Sequence, residues 1–219
     1  MIGKQLLIVM PLVFSLGGVE NGVAQRRRAS APRRAPVDQV KLVDEYFAAD
    51  AKCRGLLKAE KWKEAEVACL AETRIVDRFT DHRELEKLSA YEQVGASLAG
   101  QKRYAEAITY YLRALELSRP RLNDANADVG QLYGRIALAY HMMRDLGEAR
   151  EFYRKATRTY QTAYANINED EVVEEGLEMK RGYLKILKSM LEFHLIAAEQ
   201  AGAPAEVEEI KKQLASLPK

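Results

Sequence analysis

The stretch KRYAEAITYYLRALELSRP, residues 102–120, carries the pattern that decides the fold. Within it Tyr104, Ala107, Tyr111 and Ala114 recur at steps of three and four, which is the spacing of one face of an α-helix. Bulky and small side chains alternate along this face. A helix of this kind is predicted to lie close to a neighbouring helix at its small positions, because a small side chain lets two backbones approach.

Two other segments repeat this pattern. One begins at Lys61 (KWKEAEVACLAE) and the other at Asp145 (DLGEAREFYRKATRT), and the matched positions of the three segments are forty-two residues apart. A pattern that recurs at a fixed interval predicts a stack of similar structural units. The matched positions are the bulky residues Trp62, Tyr104 and Leu146, the alanines Ala65, Ala107 and Ala149, the residues Cys69, Tyr111 and Tyr153, and the pair Ala114 and Ala156, with Glu72 as the exception in the first segment.

A partner helix is predicted just before each of these segments. The partners supply small residues at Cys53, Gly95 and Ala137 and, in the second and third units, large residues at Tyr91 and Tyr133. We expect each small residue to meet the alanine of the following helix, so that Gly95 contacts Ala107. The tyrosines are expected to fill the wider parts of the same interface.

The pattern resembles the tetratricopeptide repeat over about residues 40–160, and its long period resembles the repeats of kinesin light chains. The resemblance implies an all-α, right-handed superhelical solenoid of antiparallel helix hairpins. Three clear units are expected at residues 46–79, 88–121 and 130–163, followed by a degenerate fourth unit at residues 170–216. A short capping helix is expected to close the stack, since the last apolar face has no neighbouring unit.

The chain has two cysteines, Cys53 and Cys69, and the predicted first hairpin places them on facing helices. In an exported protein they are able to form a disulfide, which stabilises a fold by restricting the unfolded chain. The alternative is two buried thiols that pack as small apolar side chains. The sequence leaves both interpretations open.

The N-terminal residues differ from the rest of the chain. An uncharged apolar run is followed by small residues at Gly22 and Ala24, so residues 1–24 are interpreted as a signal peptide that directs export to the periplasm or the medium. Arginines directly after this site oppose translocation, which leaves an uncleaved membrane anchor or an arginine-rich transit peptide as alternatives. Residues 25–37 are expected to be a flexible basic linker, and residues 38–219 the repeat domain.

The 34 basic and 32 acidic residues of the chain are unevenly distributed. Six of the basic residues but one of the acidic residues precede Val37, which leaves 28 basic and 31 acidic residues in the remainder. The predicted repeat domain therefore has a small negative charge. Since nucleic-acid binding requires a basic surface, no nucleic-acid partner is expected.

The sequence gives little indication of metal binding or catalysis. His82, His141 and His194 have no histidine, cysteine or carboxylate at a metal-ligand spacing, so no metal site is expected. The sequence contains no glycine-rich phosphate loop, no G-x-S-x-G and no H-E-x-x-H. We therefore expect neither a cofactor nor an enzyme activity.

The resemblance implies a binding site, because members of this family usually bind partners on the concave face formed by the first helices. The implied lining is Phe47, Asp50, Arg54 and Leu57 in the first unit, Ser89, Glu92, Gln93 and Ala96 in the second, and Gln131, Arg135, Leu138 and His141 in the third. Asp50, Glu92 and Gly134 stand where chaperone-binding members carry the asparagine-type residues of a carboxylate clamp. A receptor for chaperone tails is thus disfavoured.

The sequence as a whole favours a non-catalytic scaffold or adaptor that binds a protein or peptide through this concave surface. The alternative is a structural or regulatory subunit of an envelope-associated assembly that uses its convex or end surface. Each residue of the implied lining also has an alternative interpretation as an ordinary surface residue.

Overall fold

The computed structural model describes residues 37–80, 83–118, 126–167 and 174–218, all within one compact unit, Ala35–Lys219. These residues form eight α-helices and no strand, which confirms the predicted all-α class. The predicted signal peptide, the linker up to residue 36 and His82 lie outside the described residues.

The helices form four successive hairpins. They pair as α1 (Val37–Lys58) with α2 (Trp62–Val76), α3 (Glu84–Gly100) with α4 (Tyr104–Ser118), α5 (Ala127–Met142) with α6 (Leu146–Ala165), and α7 (Glu174–Gln200) with α8 (Pro204–Ser216). Each hairpin packs on the next one through its second helix, α2 against α3, α4 against α5 and α6 against α7. The buried apolar residues therefore form a core that runs along the stack rather than a single central core.

The turn inside each hairpin has the same backbone geometry. The residue two positions before the second helix is left-handed, with φ from 54° to 66°, at Glu60, Lys102, Arg144 and Gly202. In every turn the following amide donates to the carbonyl five residues earlier at 3.0 Å, which is the bond that ends a helix in a Schellman motif. The fourth hairpin therefore uses the turn of the first three, although its sequence lacks their pattern of bulky and small residues.

Gly95 and Tyr111 pack directly against each other in the second hairpin. A Cβ added at Gly95 would lie 2.6 Å from Cδ1 of Tyr111 and closer still to Cε1, so any side chain there would collide with the ring. The three atoms nearest to this position all belong to Tyr111, so the closest neighbour of Gly95 is Tyr111 and not the predicted Ala107. The flat tyrosine ring occupies the space left by the missing side chain, while Ala107 is buried in the same apolar cluster.

The equivalent positions close the other two repeat hairpins with different chemistry. In the third hairpin, Ala137 and Tyr153 belong to one buried cluster. In the first hairpin, Cys53 and Cys69 are joined by a disulfide with a Cα–Cα separation of 5.0 Å and a sequence separation of 16 residues. The same separation relates Gly95 to Tyr111, so the disulfide occupies the place of the small–large contact.

An ionic cluster holds the C-terminal hairpin onto the third one. Glu206 of α8 accepts hydrogen bonds from Arg150 at 2.6 Å and Arg154 at 2.8 Å, both on α6, and lies 2.8 Å from Nε2 of His194 on α7. Burial alone raises the pKa of Glu206, but the bonds from Arg150, His194 and Arg154 outweigh it and hold that pKa below its ordinary value. α8 is thus tied to both preceding helices, as a helix that ends a stack requires.

We expect Gly95→Ala to lower the free energy of unfolding by about 1–3 kcal/mol, because the added methyl overpacks the contact with Tyr111. Gly55→Ala is the matched control. Gly55 also lies within a helix, but no atom approaches its Cβ position within 4 Å, so alanine there should stabilise the protein by up to about 1 kcal/mol. Urea denaturation of the two purified variants measures both effects. Equal stabilities would show that Gly95 is not a packing constraint.

Candidate functional site

The first helices of three hairpins line one open groove with a volume of about 700 Å³. Its walls come from α1, α3 and α5, and its lining is Tyr46, Arg54, Leu57, Lys58, Leu85, Glu86, Leu88, Ser89, Glu92, Gln93, Ala96, Asp128, Gln131 and Arg135. A smaller cavity of about 270 Å³ adjoins it, since Ala96 and Arg135 line both. We call the two together the concave groove.

Most of the residues implied by the resemblance meet in the concave groove. Arg54, Leu57, Ser89, Glu92, Gln93, Ala96, Gln131 and Arg135 line the larger cavity, and Leu138 lines the smaller one. The other three lie elsewhere. Asp50 bonds to Arg54 and Gln93 from beneath the lining. Phe47 is 56% exposed beside Tyr46, and His141 lies 3.1 Å from the side-chain oxygen of Gln200 on α7.

Sequence reasoning missed six residues that line the larger cavity, Tyr46, Lys58, Leu85, Glu86, Leu88 and Asp128. Tyr46 and Lys58 lie one helical turn before Asp50 and one turn after Arg54. Residues four positions apart share a helix face, so extending the predicted lining by one turn in each direction along α1 would have found both.

A polar network joins α1 to α3 across the floor of the groove. Asp50 accepts hydrogen bonds from Nε of Arg54 at 2.8 Å and from the amide nitrogen of Gln93 at 2.8 Å. Arg54 and Gln93 also donate to the hydroxyl of Ser89, at 2.9 Å and 3.0 Å. Four side chains from two units thus hold one another in place, and Arg54 stays 60% exposed towards the groove.

Glu72 of α2 lies directly beneath this network and is fully buried. The amide nitrogen of Gln93 is 3.5 Å from its Oε1, while its Oε2 accepts no hydrogen bond from the described part of the chain. Burial, followed by the negative charge of Asp50, raises the pKa of Glu72 to about 8. Glu72 could have been identified as unusual from the sequence, because it occupies a repeat position where the other two units carry alanine.

A second network joins α3 to α5. Glu92 pairs with Nε of Arg135 at 2.5 Å and accepts a hydrogen bond from Gln131 at 2.6 Å. Burial and the negative charge of Glu92 raise the pKa of the nearby Asp128. Since both guanidinium groups of the floor are paired with a carboxylate, the middle of the groove presents hydrogen-bonding groups without a strong net charge.

Apolar side chains are exposed at two places along the concave groove. Leu85 is 53% exposed in the larger cavity, and Leu138 and Met142 are 44% and 52% exposed in the smaller one. Hydrogen-bonding groups together with exposed apolar anchors suit an extended or helical peptide, whose backbone and side chains require both.

The described residues give no indication of a metal centre or of a membrane span. No group of three or more histidine, cysteine, aspartate or glutamate residues among them is arranged to hold a metal ion. None of the eight described helices is both long enough and apolar enough to cross a membrane.

Stacked helical hairpins with a shared concave groove define this protein as an α-solenoid. A family profile described as the tetratricopeptide repeat matches residues 86–162. Residues 86–162 therefore match the tetratricopeptide repeat, which confirms the resemblance predicted from the sequence, and the all-helical hairpins confirm the predicted solenoid. Proteins with these repeats are in general non-catalytic scaffolds that bind other proteins.

Solved structures support the same fold. The tetratricopeptide-repeat domain of Arabidopsis FLU is 25% identical, with a TM-score of 0.51, and the match covers 55% of this chain and 98% of that domain. BtubC (BKLC) from P. vanneervenii is 14% identical, with a TM-score of 0.50, and the match covers 81% of each chain. At that identity the second likeness shows the fold alone. No curated protein matches the chain.

Proposed function

We propose that this protein is a non-catalytic scaffold or adaptor that binds a peptide or a segment of a protein in the concave groove. The observation that carries the proposal is the combination of an open volume of about 700 Å³ with exposed apolar side chains and a hydrogen-bonding floor. Leu85 of the second unit lines the larger cavity and Leu138 of the third unit lines the smaller one, so a ligand that contacts both spans two repeat units.

The charge of the groove favours recognition by hydrogen bonds and shape. Arg54 and Arg135 are each held by a carboxylate, at 2.8 Å from Asp50 and 2.5 Å from Glu92. A paired guanidinium still has N–H donors to offer to backbone carbonyls. It attracts polyanions much less than a free one, which argues against nucleic acid as the partner.

We expect the double variant Leu85→Lys/Leu138→Lys to lose a partner that the unmodified protein retains when it is captured from the cells that produce it. The substitutions remove both apolar anchors but affect exposed positions, so the fold should persist. The matched control is Val67→Lys/Leu112→Lys, which changes two other exposed apolar residues, on the second helices α2 and α4. Quantitative mass spectrometry of cross-linked complexes measures partner retention, and thermal melts verify folding.

If the control variant loses the partner and the groove variant keeps it, binding in the concave groove is contradicted. That result would favour the alternative function, a structural or regulatory subunit of an envelope-associated assembly. One observation favours this alternative. Val67 is 71% exposed on a hollow formed by α1 and α2, together with Ala48, Ala49 and Ala68. This hollow lies on the first hairpin, so a partner that it holds would be lost by the control variant and kept by the groove variant.

We further propose that the protein is exported, with cleavage after Ala24, and that Cys53 and Cys69 are bridged in the mature protein. The apolar run within residues 1–24 supports export. The 5.0 Å Cα separation of the two cysteines supports the bridge, because it lies within the range a disulfide requires. The two proposals support each other, since disulfides persist in oxidising compartments.

Mature protein isolated from its native source is expected to begin at Gln25 and to have a mass two hydrogens below that of the dithiol form. N-terminal sequencing and intact-mass measurement under non-reducing conditions test both points. Reduction should also lower the free energy of unfolding by about 3 kcal/mol, the value expected for a loop of this size. An intact Met1 on cytosolic protein would rule out export, and two free thiols would leave only the packing role of the cysteines.

A further inference from the structure

Glu72 occupies a position that packing alone would not give to a carboxyl group. The equivalent residues of the second and third units are Ala114 and Ala156, and all three positions are fully buried. An ionised carboxylate without water is costly unless it is paired and hydrogen-bonded. The surroundings of Glu72 therefore decide its protonation state.

The groups around Glu72 come from two neighbouring helices. From α1, Asp50 accepts a hydrogen bond at 2.8 Å from the same amide nitrogen of Gln93 that lies 3.5 Å from Oε1 of Glu72. Arg54 is bonded to Asp50, and Tyr46 lies one turn earlier on α1. From α3, Gln93 approaches to 3.5 Å, and the carboxylate of Glu86 faces Tyr46 and is paired with Arg83. Among these groups, Arg54 is the cation closest to the two acids, and its Nε lies 2.8 Å and 2.9 Å from the two oxygens of Asp50.

Two acids thus share one guanidinium, which compensates one negative charge. A neutral carboxyl group carries an O–H donor, whereas an ionised one carries none. With a single proton between them, Glu72 and Asp50 are joined by a hydrogen bond. Without that proton, two carboxylates face each other in a buried site and repel.

We propose that Glu72 and Asp50 hold one exchangeable proton beneath the concave groove, and that this proton sets the arrangement of the groove floor. Asp50 is bonded to Arg54 and Gln93, and both of these bond to Ser89 on the surface of the groove. Loss of the proton leaves repulsion that is relieved by moving Asp50 away or by drawing Arg54 inward. Either movement breaks contacts with Ser89 and changes the donors offered to a ligand.

The direction of the pH dependence follows from the raised pKa of Glu72. Its ordinary value is 4.5 and its value in the folded protein is about 8, so between these pH values folding takes up a proton. The contribution of protonated Glu72 to the free energy of unfolding is complete below pH 4.5 and is lost as the pH rises towards 8. The native arrangement of the floor is therefore the acidic and neutral form, and the rearranged floor is the alkaline form.

The role of this proton in regulation rests on the groove function proposed above. The proton site itself is present in the protein without a bound partner. It is therefore testable without a partner. If the titration is present and no peptide binds, the groove function fails alone. If a peptide binds and the titration is absent, the proton site fails alone.

The test is a pH titration of the full chain with ¹³C-labelled glutamate side chains, followed by NMR from about pH 4 to about pH 10. One carboxyl carbon is expected to titrate near pH 8 and to be missing from Glu72→Gln. The Arg54 Nε and Ser89 signals are expected to shift with the same midpoint. The ratio of folded to unfolded protein should fall by up to about tenfold per pH unit in this window, relative to Glu72→Gln.

Glu64→Gln is the matched control, because Glu64 lies on the same helix but is exposed. In this variant the NMR signal near pH 8 and the dependence of stability on pH should be the same as in the unmodified protein. Glu72→Ala, which carries the residue of the other two units, replaces Glu72→Gln if the glutamine variant does not fold. The proposal is overturned if every glutamate titrates near its ordinary pKa. It is equally overturned if Glu72 titrates near pH 8 while the Arg54 and Ser89 signals stay unchanged.

Discussion

The close approach of two helices at one small residue in each repeat hairpin is the constraint on which the rest of the structure depends. Gly95 beneath Tyr111 and the bridge between Cys53 and Cys69 are two chemical forms of this contact. Because protein interiors are close-packed, a fixed spacing within one unit also fixes the surface presented to the next unit. The curvature of the stack, and with it the groove, results from this contact repeated along the chain.

The groove is lined by the same side chains that hold neighbouring units together. The network of Asp50, Arg54 and Ser89 joins the first unit to the second, and the pair of Glu92 with Arg135 joins the second to the third. A ligand that competes for these donors therefore acts on the contacts between units. Recognition and the relative positions of the units are coupled in this protein, since one set of hydrogen bonds serves both.

Much of the fold was predictable because helical repeats are encoded locally. The recurrence of Tyr104 and Ala107 specifies a helix face, and the fixed interval specifies the stack. The same periodicity placed Arg54, Ser89 and Arg135 on a common surface, and the structure has them in one groove. The repeat pattern gave no reason to expect the fourth hairpin to share the turn of the others, because the matched bulky and small residues are missing there. Gly202 supplies the left-handed residue of that turn.

The sequence by itself determined the helices, their pairing into hairpins and the surface that the first helices share, because these depend on spacings of a few residues. Only the tertiary structure decided that Tyr111 rather than Ala107 covers Gly95, that Glu206 joins Arg150, and that Glu72 lies buried under Asp50. These contacts join residues on different helices. They depend on distances set by side-chain shape and burial across the packed interface, which a periodic pattern along one helix does not contain.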